Sequence, residues 1–156
     1  FAATALSIFS FGGIAAALGV GVMIDRFGAY PVIISCMLIS AALFLVTGLY
    51  IGTAAALVVQ TLLAACGFFA LGAYGGVNVI LASFYPAPLR PTGIGWAKSV
   101  GRIGTIVAPV LIGLQLQAGV DETTILASFA LPAFVAAMAL MIMNVNKRSA
   151  RASEET

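Results

Sequence analysis

Histidine is absent from this 156-residue sequence, and only 8% of its residues are charged. A water-soluble domain carries about 25% charged residues. The chain therefore cannot present a polar surface all round, and it falls in the membrane class. Without histidine a Ser–His hydrolytic pair is excluded. The five acidic residues, Asp25, Asp121, Glu122, Glu154 and Glu155, all stand outside the long apolar runs. That excludes the paired intramembrane carboxylates of a two-aspartate protease, so no enzyme activity is assigned. Cysteine is scarce too: Cys36 and Cys66 lie 30 residues apart in separate apolar runs. Metal sites need clustered ligands, so both read as small buried hydrophobes, and no metal or cofactor is expected. A net charge of +2 is too small to argue for nucleic acid. No charged segment precedes Phe1 to suggest a secretory signal. The chain lacks an initiator Met and opens directly in an apolar run, which is expected of a fragment of a longer protein.

What the chain has in plenty is hydrophobic residues, 62% of the total. A membrane-crossing helix needs ~20 of them in a row to span a hydrocarbon core ~30 Å thick. Five stretches qualify: 1–24, 31–50, 54–80, 93–115 and 123–145. The expected fold is an all-α membrane protein, with residues 1–146 forming a partial helix bundle and 147–156 a polar tail that frays. The breaks are a charged turn around Asp25-Arg26, the pair Gly52-Thr53, a stretch from Phe84 to Thr92 with three prolines, and the loop holding Asp121 and Glu122. Proline cannot continue a helix.

Lys and Arg in short loops set orientation. If the five spans alternate, Arg26, Arg90, Lys147, Arg148 and Arg151 share one side. The other side, with the Gly52 turn and the Asp121 loop, has no Lys or Arg. The first side, including the tail, is therefore expected to be cytoplasmic. Glycine divides the spans as well. The first, third and fourth carry four, four and five, the second only Gly48, and the fifth none. Small residues let helix backbones approach closely in lipid, as in a Gly13-Ala17-Gly21 seam. Spans one, three and four are thus expected inside, and two and five outside.

The turn Gly21-Val22-Met23-Ile24-Asp25-Arg26-Phe27-Gly28 resembles the G-x-x-x-D-R-x-G loop signature of the major facilitator superfamily. Two further stretches narrow the likeness. One is Phe11-Gly12-Gly13. The other is Tyr85-Pro86-x-x-x-Arg90-x-Thr92-Gly93-x-Gly95-Trp96-Ala97, followed by Gly101-Arg102-Ile103-Gly104 and Pro109. Together they resemble the aromatic acid:proton symporters of that superfamily, bacterial inner-membrane permeases for benzoate-like and hydroxybenzoate-like anions. The resemblance implies that the five spans are helices eight to twelve of twelve, in the C-terminal half. The N-terminal half would then be a missing partner. It also implies that Asp25 and Arg26, with Gly21 and Gly28, belong to a cytoplasmic gate. Arg90 reads either as a gate residue or as part of the positive-inside bias. Lys98 and Pro91 depart from the pattern of most relatives and point to a different anion.

The fourth span carries two cations. Arg102 lies near the middle of the hydrocarbon, where Arg costs about 2.5–3.5 kcal/mol on insertion scales and usually marks a pathway. No acid in the spans can pair with it. Its partner is then a substrate anion, a carboxylate in the missing half, or backbone carbonyls. Lys98 is on the same face at i, i+4, and either snorkels to the interface or makes a second anion contact. Trp96 either anchors the helix at the interface or stacks on an aromatic substrate. In the third span, Tyr74 and Asn78 share a face; Asn78 either bonds a neighbouring helix or lines a cavity. Gly93-x-Gly95 begins like a dinucleotide-binding loop, but Lys98 takes the last glycine's place and no strand precedes it.

The expected function is import of an aromatic carboxylate with protons across the lipid bilayer, by alternating access. The alternatives are a facilitator for another organic acid, a sugar acid or a drug, or a non-transporting membrane fragment.

Overall fold

The computed structural model describes residues 2–52 and 54–154. Phe1, Glu155 and Thr156 lie outside the described residues, as does Thr53 of the second expected turn. Five helices follow one another: α1 (Ala2–Phe27), α2 (Ala29–Tyr50), α3 (Ala56–Phe84), α4 (Arg90–Gln117) and α5 (Glu122–Glu154). Each contains a stretch long and apolar enough to cross a membrane, and no strand occurs among the described residues. The fold is all-α, as the apolar runs predict.

Two helix ends differ from the sequence reading. The fourth span was expected from Gly93, yet α4 begins at Arg90 and includes Pro91. Proline is tolerated in a first helical turn, where its missing N–H has no partner to lose. The tail was expected to leave the helix after Asn146, yet α5 runs on to Glu154. The residues after Asn146 are mostly Lys, Arg, Ala, Ser and Glu, with neither Gly nor Pro to stop the helix. The side chains from Lys147 onward lie outside the described residues.

Glycine makes the sharp joints. Gly28 alone separates α1 from α2, at φ 86° and ψ 157°. That region of backbone space is essentially reserved for glycine. Its N–H bonds the Ile24 carbonyl at 2.9 Å. At the far end of α4, Gly119 has φ 69°. Its N–H reaches the Leu116 carbonyl at 3.1 Å, and the Val120 N–H reaches the Gln115 carbonyl at 3.0 Å. These paired bonds close the helix end in a Schellman motif.

The core lies where α2 meets α3 and α1 meets α3. Ala16, Val20, Val32, Ile33, Cys36, Ala73 and Ile80 form its buried cluster. Lipid is as apolar as leucine, so this packing holds by close contact rather than by escape from water. Glycine permits the contact. A Cβ at Gly72 would stand 2.7 Å from Val20 Cγ2, and one at Gly76 would stand 2.7 Å from Ile33 Cγ1. Backbone meets backbone between Gly12 and Ala64, and between Gly67 and Phe9. Cys36 and Cys66 are both buried, and Cys66 Sγ lies 3.5 Å from the Thr47 hydroxyl.

Among the described residues α2 packs on both α3 and α5. It buries eight residues, from Val32 to Gly48. Its large side chains fill the spaces that glycines of α3 leave, as Ile33 does at Gly76. Meanwhile α4, the span richest in glycine, meets α3 lightly and has no buried residue. Gly95, Gly101, Gly104 and Gly113 have nothing within 4 Å of a would-be Cβ. The seam on α1 also lies one position over. Gly12, Gly13 and Ala16 face α3, whereas Ala17 and Gly21 are exposed.

Candidate functional site: a cationic cleft between α3 and α4

The turn between α3 and α4 spreads the two helices and opens a cleft. The Leu89 N–H bonds the Pro86 carbonyl at 3.0 Å, and the Gly93 N–H bonds the Leu89 carbonyl at 2.9 Å. The Tyr85 ring packs over Gly93 and stacks edge-on against Phe84, 5.3 Å away. Arg90 reaches back with its Nε to the Tyr85 carbonyl at 3.5 Å. That puts a cation beside the carbonyl end of α3, where a helix dipole favours one.

Above this turn lies a cleft of about 610 Å³, lined on the α3 side by Tyr74, Val77, Asn78 and Leu81. The α4 side supplies Ala97, Lys98, Gly101, Arg102 and Thr105. Small-molecule pockets typically run to 300–1,000 Å³, so the cleft has the right scale. Four of the five residues singled out for substrate contact come together here: Tyr74, Asn78, Lys98 and Arg102. The i, i+4 spacing on both helices explains this, since each pair shares a face. Gly101 lies between the cations and adds no side chain to block the floor.

Trp96 is not among the lining residues. It is exposed on α4, displaced around the helix from the Lys98–Arg102 face by the 100° per residue of an α-helix. The sequence reading missed Thr105, one turn beyond Arg102 on the same face. Its hydroxyl donates to the Arg102 carbonyl at 2.7 Å.

Counted from Arg90, Lys98 lies roughly 12 Å and Arg102 roughly 18 Å along the axis, deeper than a helix starting at Gly93 would put them. Among the described residues neither head group has an ion-pair partner. Like charges at i, i+4 repel by about 0.2–0.5 kcal/mol. The arrangement is thus poised to accept an anion, to which Lys offers up to three donors and Arg five.

Among the described residues Asn78 bonds no neighbouring helix. Its Nδ2 donates within α3, to the Gly75 carbonyl at 3.2 Å and the Tyr74 carbonyl at 3.4 Å. A second, apolar cavity of about 500 Å³ lies between α2, α3 and α5, and Tyr74 and Val77 border both spaces. The buried Ser40 hydroxyl lines it and has no hydrogen-bond partner among the described residues. Of the expected gate residues, Asp25, Arg26 and Arg90 are exposed, together with Gly21 and Gly28. Arg26 sits in the last turn of α1, a favourable end for a cation.

An all-helical bundle with membrane-length apolar spans and a charged cleft between two of them defines an integral membrane protein. The chain belongs to the Major Facilitator Superfamily, whose family model matches residues 1–156. It is similar to the gallate transporter of Pseudomonas putida, at 32% identity over 145 residues. That match takes in 90% of this chain and 31% of the relative. It is also similar to the 4-hydroxybenzoate transporter PcaK of Pseudomonas aeruginosa, at 31% identity over 136 residues, 87% of this chain and 30% of the relative. A gentisate transporter of Corynebacterium glutamicum is 40% identical over 76 residues, 47% of this chain and 17% of the relative. The chain thus spans less than a third of the length of these relatives. They are transporters rather than enzymes, in agreement with the expectation drawn from the acid-free, histidine-free spans. No solved structure matches.

Proposed function

We propose that this chain forms part of a secondary transporter that imports an aromatic carboxylate with protons. The observation that carries the reading is the cleft itself: two cations, without anionic partners among the described residues, face the same space as Tyr74 and Asn78. Guanidinium binds carboxylate through two parallel hydrogen bonds, so Arg102 is the principal anion contact and Lys98 the second. The similarity to gallate and 4-hydroxybenzoate transporters supports an aromatic acid as cargo. Trp96, away from the cleft, serves as an interface anchor.

The relatives' greater length supports a further helix bundle, an N-terminal half that works with this one. Alternating access then rocks the two around a site near the midplane. Proton coupling needs a titratable group in the membrane, and the spans of this chain hold no Asp, Glu or His, so the proton carrier belongs to that other half. The side bearing Arg26, Arg90 and the tail faces the cytoplasm of a bacterial inner membrane. Gly21, Asp25, Arg26, Gly28 and Arg90 act there as gate residues between the halves.

The test is uptake of labelled benzoate and 4-hydroxybenzoate by cells carrying the whole transporter, with and without Arg102→Ala. Loss of a charge-assisted hydrogen bond costs about 1.5–3 kcal/mol, so uptake at low substrate should fall roughly ten- to hundredfold. Unchanged uptake would make Arg102 structural. Uptake of neutral sugars with no aromatic acid uptake would overturn the substrate class.

A further inference from the structure

Beyond the carboxylate contacts, the cleft holds one group whose hydrogen-bonding capacity is fixed by its surroundings. Asn78 Nδ2 faces two backbone carbonyls, Tyr74 and Gly75. Carbonyl oxygens only accept, so the end of the amide facing them has to be the NH₂. What remains is Oδ1, a neutral acceptor with two lone pairs. Across the cleft stand Lys98 and Arg102, which only donate. Thr105 spends its hydroxyl hydrogen on the Arg102 carbonyl. The cleft is therefore polarised, with the two cations on α4 and the amide acceptor and the Tyr74 phenol on α3.

We propose that Asn78 accepts a hydrogen bond from a ring hydroxyl of the substrate, and so sets a preference for hydroxylated over unsubstituted aromatic carboxylates. This rests on the reading of Lys98 and Arg102 as the carboxylate contacts. A carboxylate is drawn to α4 and repelled by the lone pairs of Oδ1. That orients the ring with its far edge toward α3. A phenolic hydroxyl, with a pKa near ~10 as in tyrosine, keeps its proton at neutral pH and arrives as a donor. Without an acceptor it would lose its bond to water on entering the cleft. A methoxy group at the same ring position has no hydrogen to give.

The experiment measures kcat/KM for uptake of 4-hydroxybenzoate, benzoate and 4-methoxybenzoate in cells carrying the whole transporter. Variants are Asn78→Leu, close to isosteric, Asn78→Ser, which keeps an acceptor, and Arg102→Ala. The wild type should favour 4-hydroxybenzoate over 4-methoxybenzoate by about threefold to tenfold, the worth of one neutral hydrogen bond. Asn78→Leu should erase most of that preference, lowering kcat/KM for 4-hydroxybenzoate more than for benzoate or 4-methoxybenzoate. Asn78→Ser should keep part of it. An equal fall for all three acids in Asn78→Leu would overturn the proposal and make Asn78 structural. If Asn78→Leu fails to reach the membrane, the wild-type panel still decides: equal uptake of the hydroxy and methoxy acids overturns the proposal. The carboxylate reading fails separately, if Arg102→Ala leaves benzoate uptake intact. Absence of any aromatic acid uptake overturns both.

Discussion

The ring of Tyr85 occupies the space that a side chain at Gly93 would need. A Cβ at Gly93 would stand 2.7 Å from the ring's Cδ1, Cε1 and Cζ. The contact ties the first turn of α4 to the end of α3 and so sets how the cleft begins. Overpacking a tight site costs about 1–3 kcal/mol, so Gly93→Ala should lower the melting temperature of the purified transporter and reduce uptake. Tyr85→Ala in the same chain should recover part of the loss. Additive effects in that double-mutant cycle would show that the two residues are not coupled.

Gly28 is the single residue between α1 and α2, at a backbone geometry that side chains disfavour. Gly28→Ala should cost about 1–3 kcal/mol. The expected signs are less folded protein in the membrane and a lower melting temperature, even though the position is exposed. A wild-type melting curve for Gly28→Ala would show that the turn adapts.

The glycines of α3 and α4 should respond oppositely to enlargement. Gly67 faces the Phe9 carbonyl directly, so Gly67→Leu should separate α1 from α3 and abolish stable folding. A would-be Cβ at Gly104 meets nothing within 4 Å. In this chain alone Gly104→Ala should be neutral, or stabilising by up to about 1 kcal/mol. If the same change impairs the whole transporter, that face of α4 is covered by the rest of the protein. Thermal melting of detergent-solubilised protein reads each outcome.

Lys98 and Arg102 share a cleft but not a geometry. Arg102→Lys keeps the charge and loses the planar fork, so uptake should fall several-fold and not recover fully. Lys98→Gln removes a point charge nearer the N-terminal end of α4. It should chiefly raise KM, by about threefold to tenfold, the scale of one hydrogen bond. Concentration-dependent uptake separates the two, and a larger loss at Lys98 than at Arg102 would reverse their assigned roles.

The helices were legible because each apolar run is long and its breaks are marked by glycine, proline or charge. The pairing of Tyr74 with Asn78, and of Lys98 with Arg102, followed from helical spacing alone. That α3 and α4 face these pairs toward each other did not follow, because spacing within a helix says nothing of its rotation against a neighbour. Trp96 shows the same limit from the other side: it is two residues from Lys98 and therefore points elsewhere. Glycine content marks only one member of a contact. Gly76 is small so that Ile33 can be large, and a count of glycines sees the hollow but not the side chain that fills it. The run of α5 to Glu154 was missed because a polar composition was read as a helix stop, although lysine, arginine, alanine and glutamate all favour helix.

The cations ride on α4, the helix that buries nothing among the described residues and meets α3 only lightly. By contrast, α1 and α2 are joined through one glycine and tied into α3, so they can shift only as a block. The two cations therefore stand on the helix that this bundle restrains least among the described residues. A molecule bridging α3 and α4 across the cleft would add a brace that packing within this bundle does not supply.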